Sequence, residues 1–299
     1  MIGKPINIIT AASILGLRPS GVEHLADTLL AAGLAEALNA DSPIIQVPLL
    51  NGEYNSHRDK KTQCLNPQSI KEFSINLANI VVSTIEKGFP LVLGGDCSIL
   101  LGIMCGLKGH SDYGLIFMDA HADFYQPEQS ITGEVADMDL AIVTGRGPEL
   151  LTNIHSRRPY VADNNVIHVG QRDWKETKHY GSQDIKETDI RCFDLRKIEE
   201  DGTEAIGDKV LRYMDGQSVN GYWIHFDTDV ISDKENPSVD YRLPGGLTFA
   251  ETSLLLQSLL ASGKITGMSV SIFNPLLDPS GMVANNLVEC IRNGFQYRA

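Results

Sequence analysis

The chain has 299 residues, 42% hydrophobic and 21% charged, ordinary values for a globular protein and ample for a large core. Its formal net charge of −13 excludes a protein built mainly to hold nucleic acid, because neutralising phosphates requires a basic surface. No apolar stretch approaches the ~20 residues of a membrane helix, and the five cysteines contain no C-x-x-C pair, so a cytoplasmic protein without membrane partner or disulfide framework is expected.

In chain order, INIITA (6–11) reads as a first strand rather than a signal peptide. Residues 21–39 form a helix-rich stretch, broken near Gly33. A polar loop over 51–66 leads to a helix over 66–88, with Asn66 as N-cap, Pro67 at its first position and Gly88 as its stop. Strands follow at PLVLGG (90–95), YGLIFMDAH (113–121) and NVIHVG (165–170), then a second polar loop over 173–188. Further strands are expected at IRCFDL (190–195), GYWIHFDTDV (221–230) and GMSVSIFNP (267–275). Between the last two lies a helix opened by Thr248 and Glu251 in capping-box spacing and closed by Gly263. Nearly continuous apolar strands alternating with helices predict one three-layer α/β/α domain over 1–299 with a parallel sheet buried on both faces. Ligands of such sheets bind beyond the carboxyl ends of the strands.

Three strand ends carry metal-binding types. Cys97 follows LVLGGD, Asp119, His121 and Asp123 alternate in DAHAD, and Asp227 and Asp229 alternate in FDTD. If the chain stays extended, such alternation points the ligands to one side. Taken singly, each motif reads equally as a tight turn or a capping cluster. Together they place four carboxylates, a thiol and an imidazole at the end of a buried sheet, which is costly unless cations neutralise it. Two divalent ions would do so, and such a pair can deprotonate a water at neutral pH and polarise the carbon it attacks. The glycines do not form a dinucleotide-binding G-x-G-x-x-G.

GGDCS, MDAHAD and FDTDV, in this order, resemble the ureohydrolase superfamily of arginases, agmatinases and related amidinohydrolases, and the resemblance extends through PGGLTFAET and FNP. It implies an arginase-like sheet of eight parallel strands, two divalent ions (most often manganese) and hydrolysis of a linear amidine C–N bond in a guanidino or amidino compound. Carried over by position, one ion would take Cys97, Asp119, Asp123 and Asp227, and the other His121, Asp119, Asp227 and Asp229. Asp119 and Asp227 would bridge, and Asp123 would also hold the hydroxide.

The departures from the family pattern bear on the substrate. Histidine is usual at position 97; cysteine there resembles the branch typified by hydroxyarginine amidinohydrolase. Tyr125 replaces an asparagine that contacts the substrate, Ala136 a proton-shuttling histidine, and Ile272 the glutamate that grips a guanidinium. Glu134 and Asp137, in the loop that normally carries the shuttle, and Asp240, before YRLPGG, are candidates to compensate, with Glu134 relaying the proton. Arg172, Asp173 and Lys175 are expected near the mouth, and His225 in a packed, structural role. The expected function is hydrolysis of a guanidino or modified guanidino compound to urea or a substituted urea plus an amine. Alternatives are a formimidoyl or other amidine hydrolase of the same superfamily, or a metal-free relative that kept only the fold. Assembly into a homo-oligomer is left open.

Overall fold

A computed structural model describes residues 4–48 and 54–296. One sheet organises the described residues. Its strands are β1 (Ile6–Thr10), β2 (Ile45–Gln46), β3 (Phe89–Leu93), β4 (Gly114–Met118), β5 (Val166–Val169), β6 (Arg191–Phe193), β7 (Tyr222–Asp227) and β8 (Ile265–Ser271). They lie in the order β2-β1-β3-β8-β7-β4-β5-β6, and every neighbouring pair is parallel. The expected strands are all present. The additional one, β2, is only two residues long, too short to leave a periodic signal in the sequence.

Alternate strand residues feed two cores, as a sheet buried on both faces requires. Leu91, Ile116, Ile224 and Met268 point into one, with helices α1 (Leu25–Ala31), α2 (Leu34–Ala37) and the C-terminal helices. Val92, Leu115, Phe117 and Trp223 point into the other, against α3 (Pro67–Ile85), α4 (Ile99–His110) and α5 (Asp139–Val143). The break near Gly33 is real: its φ of 89° lies in the left-handed region, where a side chain is disfavoured, and it separates α1 from α2. Farther along are the short α6 (Glu149–Thr152), α7 (Trp174–Tyr180), α8 (Leu195–Asp201), α9 (Thr203–Asp215), α10 (Phe249–Ala261) and α11 (Met282–Phe295).

Two local readings need correction. Asn66 occupies the N-cap position of α3, but its side chain does not cap. It accepts from the Asn55 backbone N–H at 2.7 Å and donates to the Leu15 carbonyl at 2.9 Å, tying two loops together instead. The segment 173–188 is not a plain loop, because it contains α7. Only Thr177 of α7 is buried, so this helix has no apolar stripe for periodicity to reveal. Residues 51–53 of the other expected loop lie outside the described residues.

Candidate metal centre

The candidate ligands lie beyond the carboxyl ends of β3, β4 and β7, in the middle of the sheet. After β3 the chain passes through Gly94 and Gly95, and Gly95 runs so close to Ser13 that a Cβ would overlap the Ser13 carbonyl. Asp96 then acts as a brace: it accepts from the Ser13 hydroxyl at 3.0 Å, the Gly16 N–H at 3.2 Å and the Ser98 N–H at 2.9 Å. The turn so fixed leaves Cys97, 1% exposed, facing the ends of β7 and β8.

The extended geometry expected for DAHAD and FDTD is not what gathers their ligands. β4 ends at Met118 and β7 at Asp227, and both acidic motifs curl immediately. Asp119 Oδ1 accepts from the His121 N–H at 2.6 Å, and Asp227 Oδ1 from the Asp229 N–H at 2.8 Å, two side-chain-closed turns of the same kind. Asp123 completes the first bend with a φ of 45°. The alternating spacing picks out residues that do lie together, but turn-forming aspartates rather than strand pleat gather them. Further bonds lock the two turns to each other: the Ala120 N–H donates to Asp229 Oδ1 at 3.0 Å, and His121 Nδ1 lies 2.7 Å from Asp229 Oδ2.

The potential ligand atoms of Cys97, Asp119 and Asp227 all lie within 4.8 Å of one another, as do those of Asp119, His121 and Asp123. Asp119 belongs to both groups, and its Oδ2 is buried with no hydrogen-bond partner. Cys97 Sγ is 2.9 Å from Asp227 Oδ2. Burial, followed by the neighbouring carboxylates, raises the pKa of Asp123, Asp227 and the Cys97 thiol well above their usual values and that of Asp119 to about 7. Burial opposes a charge on His121, but Asp229 and Asp119 outweigh it and raise its pKa, while burial of Asp229 is outweighed by His121, which depresses Asp229 to about 2. Burial thus favours the neutral forms of Asp123, Asp227 and Cys97, while the 2.7 Å contact of His121 with Asp229 favours a charged pair there. An orphaned oxygen on the one residue common to both groups, with hard carboxylates, one imidazole and one thiol around it, fits two divalent cations.

Above the cluster opens a pocket of about 370 Å³, lined by His121, Asp123, Asp227 and Asp229 at its base. Cys97 and Asp119 are buried among these groups. Tyr125, Glu134, Asp137, Asp240 and Ile272 also line the pocket, so every predicted substrate-shell residue reaches it. Glu134 is fully engaged: Oε1 accepts from the Arg18 N–H at 3.1 Å and Oε2 from the Tyr241 hydroxyl at 2.8 Å. Asp240 is held by the Ser20 hydroxyl at 2.7 Å and the Asn274 amide at 2.9 Å. Asp137 accepts from Ser130 and Thr132 through Oδ2, and burial raises it to about 7. Ile272 packs with Leu17 and Ala136 as an apolar wall.

Of the residues expected near the mouth, Asp173 lines the pocket and accepts from the Ala122 N–H at 2.9 Å. Arg172 does not reach in; its guanidinium donates to the carbonyls of Asp229, Val230, Ile231 and Leu243, clamping the loop after β7. Lys175 lies over the Trp174 ring instead. Sequence reasoning missed Asp139, fully buried beside Asp123 with neither oxygen meeting a well-placed donor. Its one signal is an acid inside the apolar run MDLAIV. His225 is buried and hydrogen-bonded, as expected, but one of its partners is Cys97 itself, at 3.4 Å.

A parallel three-layer sheet with paired acidic turns at its central strand ends defines a metal-dependent hydrolase of linear amidine C–N bonds. Residues 21–293 match the Arginase family, and the chain belongs to it. It is 31% identical to an arginase of Staphylococcus aureus over 300 aligned positions, covering 98% of this chain and 97% of the relative. The arginase structure from Bacillus caldovelox superposes with a TM-score of 0.86 at 27% identity, covering 98% of each chain. A formimidoylglutamase structure from Bacillus subtilis shares the fold, with a TM-score of 0.76 at 16% identity over 99% of this chain and 88% of that one. Among the described residues no helix is long and apolar enough to cross a membrane.

Proposed function

We propose that the protein hydrolyses a guanidino compound, preferably one modified on a guanidino nitrogen, to urea or a substituted urea plus an amine. The observation that carries this is Ile272. It stands in the pocket wall beside Leu17 and Ala136, where a carboxylate would be needed to pair with an ordinary guanidinium. An electronegative substituent lowers the basicity of a guanidine, so a neutral, modified group suits an apolar wall better than a cation does.

Cys97, Asp119, Asp123 and Asp227 would hold one divalent ion, and His121, Asp119, Asp227 and Asp229 the other, with manganese the preferred metal. When bound, two such cations make a water acidic enough to ionise at neutral pH and polarise the amidine carbon. Asp123, at the pocket base, accepts a hydrogen bond from the attacking water and orients it. The water oxygen bonds to the central carbon, the C–N bond to the amine breaks, and the amine leaves with a proton. Glu134 lines the pocket and would pass that proton by exchanging one of its two hydrogen bonds, from the Arg18 N–H or from the hydroxyl of the exposed Tyr241, for one to the substrate. Tyr125, Asp137 and Asp240 shape the remainder of the substrate pocket. Five free cysteines support a reducing, cytoplasmic setting.

The test is a screen of guanidino and amidino compounds with the manganese-loaded protein, measuring urea, hydroxyurea, ammonia and formamide. Release of urea or a substituted urea supports the reading. Formamide as the main product would move it to a formimidoyl hydrolase, and no turnover of any compound by protein holding two metals would overturn it.

A further inference from the structure

The buried environment of Cys97 contains a directed chain of hydrogen bonds. The Trp223 indole can only donate, and it donates to Ser269 Oγ at 3.0 Å. Ser269 Oγ also lies 2.9 Å from His225 Nδ1. Having taken the indole proton, this buried hydroxyl still has its own proton to place, and His225 Nδ1 is its remaining partner. Nδ1 therefore accepts, and the ring proton resides on Nε2. That nitrogen faces Cys97 Sγ at 3.4 Å and Ser271 Oγ at 3.3 Å, and Ser271 Oγ lies 3.1 Å from the same sulfur. Phe117 stacks on the imidazole at 5.1 Å and fixes its plane.

We propose that His225 is a positioning residue for the metal centre: Trp223 and Ser269 set its tautomer, so that it donates into the Cys97 sulfur directly and through Ser271. This rests on the reading of Cys97 as a metal ligand. A thiolate brings one more negative charge than the neutral imidazole usual at that position in the family. N–H and O–H donors aimed at the sulfur draw off part of its electron density and fix the direction of its lone pairs. Groups that do not touch the metal orient and tune those that do. The tryptophan, both serines, the histidine and the cysteine thus form one unit that runs along β7 and β8 to the turn after β3. A histidine that merely filled space would not need a defined tautomer.

Cobalt(II) loaded into the intact protein gives the readout, because a thiolate bound to cobalt produces a sulfur-to-metal charge-transfer band. Hydrogen bonds to the sulfur lower its donor orbitals and raise the energy of that band. The expected result is a wild-type band that moves to longer wavelength in His225→Leu at two bound cobalt ions. His225→Gln, which retains an N–H donor, should return it part of the way, and Ser269→Ala should shift it in the same direction by less. If the wild-type protein holds two cobalt ions and shows no such band, Cys97 is not a ligand and both readings fall. A band present in the wild type but unmoved in a fully loaded His225→Leu protein overturns the relay and leaves the ligand assignment standing. Should His225→Leu not fold, Ser269→Ala and Ser271→Ala decide by the same band, and no shift in either overturns the proposal.

Discussion

Position 97 and position 272 hold the two side chains that most distinguish this pocket chemically. With two ions bound, a thiolate at 97 would add a negative charge to four carboxylates and soften the ligand set, weakening the preference for manganese over zinc, iron or cobalt that a histidine there would give. Cys97→Ala is expected to lose one of the two ions in metal analysis, and Cys97→His to keep both while strengthening the preference for manganese. Retention of two ions and normal turnover by the alanine variant would reduce Cys97 to a packed thiol. Ile272 is β-branched yet has a φ of 71°, a strained backbone for such a residue. Its backbone is held by donation to the Gly95 carbonyl at 2.9 Å. Ile272→Glu should thus present a carboxylate from a fixed backbone and raise kcat/KM for L-arginine by on the order of 10–100-fold, the scale of a charge-assisted hydrogen bond. Parallel kinetics with the preferred substrate should show a smaller gain or a loss.

The capping box of α10 illustrates which elements were legible in the sequence. Thr248 and Glu251 bond reciprocally, as their spacing predicts. Thr248→Ala should cost about 1 kcal/mol and lower the melting temperature by roughly 2 °C. No change in a calorimetric scan would mean the box is redundant with packing. Gly33 and the long buried strands were likewise legible, because each is a local signal of conformation or burial. The acidic motifs do come together, as their types suggest, but their spacing misleads as geometry: the aspartates assigned to the metals also close the turns that end β4 and β7. β2, with two residues, and α7, polar on nearly every side, left no periodicity to read. Asp139 and the partners of Cys97 were hidden for another reason. They reach the site from elements adjacent to it only in space, Asp139 from α5 and the serine and histidine partners of Cys97 from β7 and β8, and no spacing along one strand encodes that.

At the scale of the molecule, the buried acids set the pH response of the metal-free protein. Asp119 and Asp137 have folded-state values near 7, above the ordinary carboxylate value, so the unfolded chain releases these protons more readily. Their contribution is fully present below about pH 4 and is lost as pH rises toward and through 7. His121, raised by its acidic neighbours, acts in the same sense at higher pH; the depressed Asp229 contributes above pH 4 and fails only as pH falls toward 2. The metal-free protein should therefore melt at a higher temperature near pH 5.5 than near pH 8. Saturating metal should shrink or reverse that difference, and Asp137→Asn should flatten the metal-free curve. Metal uptake near neutrality should also release protons, visible as a dependence of calorimetric binding enthalpy on the buffer.

The sheet order has a consequence for how the protein is made. β3, which leads to Cys97, and β7, which ends at Asp227, are not neighbours; β8 lies between them and pairs with both. β8 is also the last of the strands to leave the ribosome. Until Ile265–Ser271 has emerged and inserted, the thiol and the acidic turns belong to two separate half-sheets, one of β1–β3 and the other of β4–β7. A nascent chain stalled before residue 265 should lack the ion that takes Cys97, although the four residues assigned to the other ion lie at the ends of β4 and β7, which pair directly. One stalled far enough beyond the strand to free it from the exit tunnel should hold both. Completion of the two-ion site would then be a late event in biosynthesis, timed by the arrival of a single strand.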